Sequence, residues 1–169
     1  MDFETKLKNY AELAIKVGVN IQKGQTLVIN SPIECAPFVR LLARSAYDAG
    51  TNNVHVEWYD DELRRMKYLN APIEVFENPP KWKADGYEQF AKEGAAFLSI
   101  AASNPELLKG VDPEKIATNN KASAKIAKGY MEYMLNSVVS WCVVSIPTKE
   151  WAEKVFPNVS HDEAYEKLW

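Results

Sequence analysis

Cysteine and histidine are scarce in this 169-residue chain, with two of each. Two cysteines cannot build a disulfide framework, and Cys35 and Cys142 share no metal-ligand spacing. His55 alternates with Glu57 and Tyr59 in a run that reads as a strand, opposite Val54, Val56 and Trp58. One histidine and one carboxylate leave a metal short of ligands, so His55 is expected to be a hydrogen-bonded structural residue. His161 falls inside Ser160-His-Asp-Glu163, a capping-box spacing that places its ring on an exposed first turn. Glycine is sparse too. No Gly-x-Gly-x-x-Gly follows a strand and no loop ends in Gly-Lys-Ser or Gly-Lys-Thr, which disfavours a self-contained nucleotide or dinucleotide enzyme. A Gly-x-Ser-x-Gly elbow is also missing.

No apolar run approaches the ~18 residues that cross a bilayer, so no membrane partner is expected. The acidic start, Met-Asp-Phe-Glu-Thr-Lys-Leu, does not read as a signal peptide, and a cytoplasmic location is expected. Net charge is -3 without a basic patch, which argues against a nucleic-acid partner. Lys115, Lys121, Lys125 and Lys128 read as the wet face of a helix.

What the chain does have is alternation. Apolar residues from Leu7 to Val17 recur at helical spacing behind Asp2, a good N-cap. Thr26–Asn30 is a short apolar strand, broken by Asn30-Ser31-Pro32. A helix from about Cys35 to Asp48 buries Phe38, Leu41, Leu42 and Ala46, and Asn53–Tyr59 forms the second strand. A helical piece from Glu62 to Asn70 precedes an irregular, proline-marked stretch from Pro72 to Pro80. A helix from Lys81 to Lys92, a third strand over Ala95–Ala102, a long helix from Pro113 to Leu135 and a buried fourth strand over Val138–Ile146 complete the pattern. Strands alternating with helices predict an α/β fold. The expected form is a mainly parallel sheet of four or slightly more strands with helices on both faces, in Rossmann-like or flavodoxin-like layers. Residues 1–169 suit one domain burying roughly 70% of its unfolded surface.

Ligands of such sheets favour the carboxyl ends of the strands. Asn30, Ser31, Asp60, Asp61, Ser103, Asn104 and Thr148 fall there, but each also stands where a helix begins. Capping of free backbone N–H groups outweighs ligand binding for any single one of them. Cys35 lies near a helix start, which can lower a thiol pKa, yet no histidine is placed to act as its base. A plain buried cysteine is expected there, and a core one at Cys142. Trp58 and Trp141 are expected in the core. The two last helices, with Trp151, Val155, Phe156, Leu168 and Trp169, carry more apolar surface than a finished four-stranded unit needs. The final helix stops at Leu168-Trp169 without a closing signal, so the chain reads as truncated, with Phe156, Leu168 and Trp169 expected to be unusually exposed.

Trp141, Ile146-Pro147-Thr148, Trp151-Ala152, Val155-Phe156-Pro157, Glu163-Ala164 and Leu168-Trp169 together resemble a segment of the thermophilic metallo-aminopeptidases, the aminopeptidase T and aminopeptidase S type. Tyr10-Ala11, Val17–Gln25 and Trp58-Tyr59-Asp60-Asp61 fit the same family, while Ser145-Ile146 is less bulky before Pro147 than expected. The resemblance covers essentially the whole chain but only the amino-terminal portion of such an enzyme. It implies a parent that removes amino-terminal residues from peptides with a pair of divalent metals (zinc, cobalt or magnesium), which activate water and polarise the scissile carbonyl. It places every metal ligand in a carboxyl-terminal catalytic domain. No catalytic, cofactor or metal residue therefore transfers to this chain. The implied partners are that missing domain, a peptide substrate and a second copy in a homodimer. The chain itself would be inactive and would help wall the substrate cleft. The alternative is a free-standing α/β binding or assembly module.

Overall fold

A computed structural model describes residues 2–102 and 104–169. Helix α1 (Phe3–Leu13) starts where Asp2 accepts a hydrogen bond from the Thr5 N–H at 2.8 Å, and it passes into a π-helical stretch, Ala14–Gly18. Strand β1 (Thr26–Pro32) leads through a 3-10 turn to α2 (Ala36–Asp48), and β2 (Asn53–Tyr59) follows. Next come α3 (Asp61–Asn70), the short α4 (Glu74–Glu77), α5 (Lys81–Lys92) and β3 (Ala96–Ala101). The long α6 (Pro113–Leu135), β4 (Trp141–Ser145), α7 (Lys149–Val155) and α8 (His161–Leu168) complete the chain.

The four strands form one wholly parallel sheet in the order β2-β1-β3-β4. Side chains alternate along each strand, so both faces need cover. On one face, Leu27, Ile29, Leu98, Ile100 and Val144 pack against Ala11, Ile15, Phe38 and Leu42 from α1, the π-helical stretch and α2. On the other, Val28 and Phe97 meet Ala91 and the flanks of α5 and α6. A third cluster joins Tyr68, Phe76 and Val111 beside the sheet.

Several expectations need correction. Strand β1 runs on through Ser31 and Pro32 instead of breaking at Asn30. Pro32 stands opposite Tyr59 beyond the last β1–β3 pair, Asn30 with Ser99, so its missing N–H removes nothing from the β3 ladder. The stretch from Pro72 to Pro80 contains α4, whose Phe76 is core. β4 is shorter than expected because Ser137 and Val138 bond back to Met134 and Tyr133 to close α6. It is also an edge strand, with Trp141 and Val143 exposed. Trp58, on the opposite edge strand β2, is exposed as well, so neither tryptophan is core. Lys115 is not on a wet face: its ammonium donates to the carbonyls of Tyr68 (3.1 Å) and Ala71 (2.7 Å), closing the end of α3. No helix among the described residues is long and apolar enough to cross a membrane.

Candidate functional site

The strand order reverses direction between β1 and β3, and sheets of this kind place ligands in the crevice at that point. A cavity of ≈ 400 Å³ opens at the carboxyl ends of the strands, lined by Glu34, Asp61, Arg65, Asn104, Glu106 and Thr148 among others. Of the expected rim residues the structure brings together Asp61, Asn104 and Thr148. Asn30 instead lines a separate cavity on the α5–α6 side. Ser31 is buried, its hydroxyl turned onto the Pro32 carbonyl at 2.9 Å. Ser103 lies outside the described residues.

Local chemistry explains most of these positions. Asp60 caps α3 by accepting from the Leu63 N–H at 3.0 Å, and Thr148 caps α7 by accepting from the Trp151 N–H at 3.2 Å. Asp61 accepts from the Asn104 N–H at 3.4 Å, and Asn104 in turn accepts from the Glu106 N–H at 2.8 Å. These bonds tie the loop after β3 to the start of α3. The second Asp61 oxygen is shut off from solvent, without a hydrogen-bond partner among the described residues; the Arg64 guanidinium stands 3.8 Å away. Arg65 donates to the Leu107 carbonyl. Glu106 sits between Lys109 (2.8 Å) and Lys154 (2.7 Å), whose hydrogen bonds and charges hold its carboxyl down to about 2.

Glu62 and Glu150 also line the cleft, which makes it acid-rich. Sequence reasoning missed Glu34, Arg65, Glu106 and Glu150, since only the fold brings them to one rim. The arrangement suits a cationic group better than a metal. Glu106 is committed to two lysines and Asp61 to a backbone N–H. Among the described residues no group of three or more His, Cys, Asp or Glu is placed to hold a metal ion. Cys35 is buried, and desolvation followed by the charge of Glu34 pushes its thiol up to about 11, so it is no nucleophile. His55 is exposed and tilted against Phe90 at 5.0 Å, and it makes no hydrogen bond to a described residue, against the expectation. His161 is exposed, as expected, and contacts the Glu153 carboxylate.

A larger groove of ≈ 770 Å³ lies between the start of α1 and the pair α7–α8, with Phe3, Tyr10, Pro147, Trp151, Leu168 and Trp169 on its walls. Trp169 keeps 40% of its surface exposed although it meets Phe3 edge-on at 5.0 Å. Phe156 and Leu168 are half-buried rather than unusually exposed, because α7 and α8 pack on each other around Ala152 and Ala164.

A parallel α/β layer with an acid-rich crevice at the carboxyl ends of its strands, and no metal-holding group among the described residues, defines an α/β domain. The chain belongs to the thermophilic metalloprotease family (M29), whose model matches residues 3–169. It is 48% identical over 167 residues to aminopeptidase AmpS of Bacillus subtilis (strain 168), a match covering 99% of this chain and 41% of that protein. Aminopeptidase T of Thermus thermophilus is 39% identical over the same length. The solved structure of wild-type AmpT from Thermus thermophilus superposes with a TM-score of 0.93 at 39% identity, covering 99% of this chain and 42% of that one. The chain thus spans about 41% of the length of these curated relatives.

Proposed function

We propose that residues 1–169 form one non-catalytic α/β domain, the amino-terminal portion of a metal-dependent aminopeptidase, which helps wall the cleft where peptides lose their amino-terminal residues. The observation that carries this reading is the family match across residues 3–169, joined to the lack of a metal-holding group among the described residues. The relatives' extra length leaves room for a catalytic portion carrying two divalent metals, zinc, cobalt or magnesium. The residues described here do not fit those metals, and no catalytic step is assigned to them.

The rim at Asp61, Asn104 and Thr148 is the cleft-facing side in this reading. Its surplus of carboxylates attracts the ammonium group at the start of a peptide. The apolar groove between α1 and α7–α8 is the surface on which the catalytic portion packs, in keeping with its exposed tryptophan and the relatives' length. A cytoplasmic homodimer completes the proposal.

The purified chain should show neither stoichiometric metal by mass spectrometry nor turnover of aminoacyl-p-nitroanilides. Finding both would place the chemistry here and overturn the reading. In a longer protein containing this domain, Asp61→Asn and Asn104→Ala should change KM or kcat for peptides. If both constants stay untouched, the rim does not face substrate.

A further inference from the structure

The pair α7–α8 stands apart from the core of the molecule. The two helices pack on each other around Ala152 and Ala164, both wholly buried. Yet among the described residues none from either helix belongs to the three apolar clusters that hold the sheet and its flanking helices together. Apolar burial is the main cohesive term in a fold, so the pair is fastened to the body only at its margins.

Those margins are well defined. Ile146 is buried and fixes the sheet side of the connection, Thr148 caps α7 and fixes the other side, and Pro147 lies between. Lys154 of α7 reaches Glu106, in the loop after β3, at 2.7 Å, with both side chains open to solvent. Past the end of α8, Trp169 meets Phe3 edge-on. The pair is also a shared wall. Thr148 and Glu150 line the acid-rich crevice opposite Glu106, while Trp151, Tyr165 and Leu168 line the apolar groove opposite α1. At ≈ 770 Å³ that groove leaves room for the pair to move toward α1.

We propose that α7–α8 is a hinged flap that turns as a unit at Pro147, with Glu106–Lys154 as the latch that sets how wide the crevice stands. With the latch formed, α7 is held to the loop after β3 and the crevice is narrow. Once it is released, the pair swings into the groove and the crevice widens. Lys109 also holds Glu106, at 2.8 Å, so the latch opens without stranding the carboxylate. An exposed ion pair biases an equilibrium about two- to fivefold, which suits a gate and not a lock. Whatever fills the groove blocks the swing and keeps the crevice narrow. The role of that coupling rests on the proposed function, in which the groove receives the catalytic portion; the hinge itself does not.

Electron–electron distance measurements on the purified chain test the flap, with nitroxides at Lys8→Cys on α1 and Asp162→Cys on α8, both exposed positions. Cys142→Ala removes the half-buried native thiol, and Cys35 is buried. Two distances should appear. Glu106→Gln should raise the population ratio of the shorter to the longer about two- to fivefold, and molar salt should do the same without any substitution at the latch. Lys154→Gln should match Glu106→Gln and add nothing to it, an outcome that loss of the Lys109 contact alone does not give. Far-UV circular dichroism should stay level, because the helices move intact. A single distance that neither substitution nor salt shifts overturns the proposal. So does a shift with falling helix signal, which means unfolding and not turning, and so do additive effects of the two substitutions. If the distances shift while Asp61→Asn and Asn104→Ala leave KM and kcat untouched in the longer protein, the flap stands and the cleft-facing role of the crevice falls.

Discussion

The two faces of the sheet are built to different standards. The face under α1, the π-helical stretch and α2 is dry and close-packed, with Leu27, Ile29, Leu42 and Ile15 wholly enclosed. The face under α5 and α6 has a smaller buried cluster and a cavity with polar Asn30 and Ser99 in its wall, and no residue of the 23-residue α6 is buried. Packing free energy therefore concentrates on one side of the same four strands. The looser side is free to carry polar groups, because fewer tight contacts depend on them.

Truncating one core side chain on each face gives the largest contrast. Leu42→Ala should cost about 3 kcal/mol or more in urea unfolding, while Met134→Ala, at a half-buried site, should cost about 1 kcal/mol. Equal losses would break the comparison. Adding one methyl group on each face sharpens it. A Cβ at Gly18 would stand 2.8 Å from the Cys142 Sγ, in a tight seam between the π-helical stretch and β4, so Gly18→Ala should destabilise by about 1–3 kcal/mol. Cys142→Ala in the same chain should recover part of that loss. At Gly129 the obstacle is the Glu88 carboxylate, the far end of a flexible side chain. It can swing aside, so Gly129→Ala should be neutral or gain up to about 1 kcal/mol from helix propensity.

The rim where the faces meet offers smaller effects. Thr148→Ala should cost about 1 kcal/mol through the lost cap of α7, and Thr148→Ser should restore most of it. Glu106 gives the smallest and most condition-dependent effect. Its folded pKa is depressed from 4.5 to about 2, so its contribution is present above the unfolded value and is lost as pH falls from about 4.5 through about 2. Glu106→Gln should flatten that part of an acid titration followed by circular dichroism, and added salt should mimic the change because the site is solvent-exposed.

Much of this architecture is legible in the residues. Asp2, Asp60, Thr148 and Ser160 each sit one step before a helix and each caps it. Alternation around His55 delimits β2 to its observed ends. The misplacements share a cause. Trp58, Trp141 and the apolar run of β4 look like core in isolation, but strand order decides exposure, and local pattern does not encode which strands end at the edges. The candidate site shows the same limit. Asn30 and Ser31 lie on opposite faces by simple alternation, yet the partners that make each cavity come from distant segments such as Tyr87 and Glu106.

The strand order carries a consequence for how the chain is made. β1 and β2 are joined by a single short crossover through α2, so the first ladder can close soon after both strands leave the ribosome. The other edge of β1 must wait for β3, until three further helices have been synthesised. Leu27, Val28 and Ile29, fully enclosed in the finished molecule, are on that waiting edge. The most protected strand of the native protein is thus one whose second backbone edge stays unpaired until β3 is made, open meanwhile to chaperones or to other nascent chains.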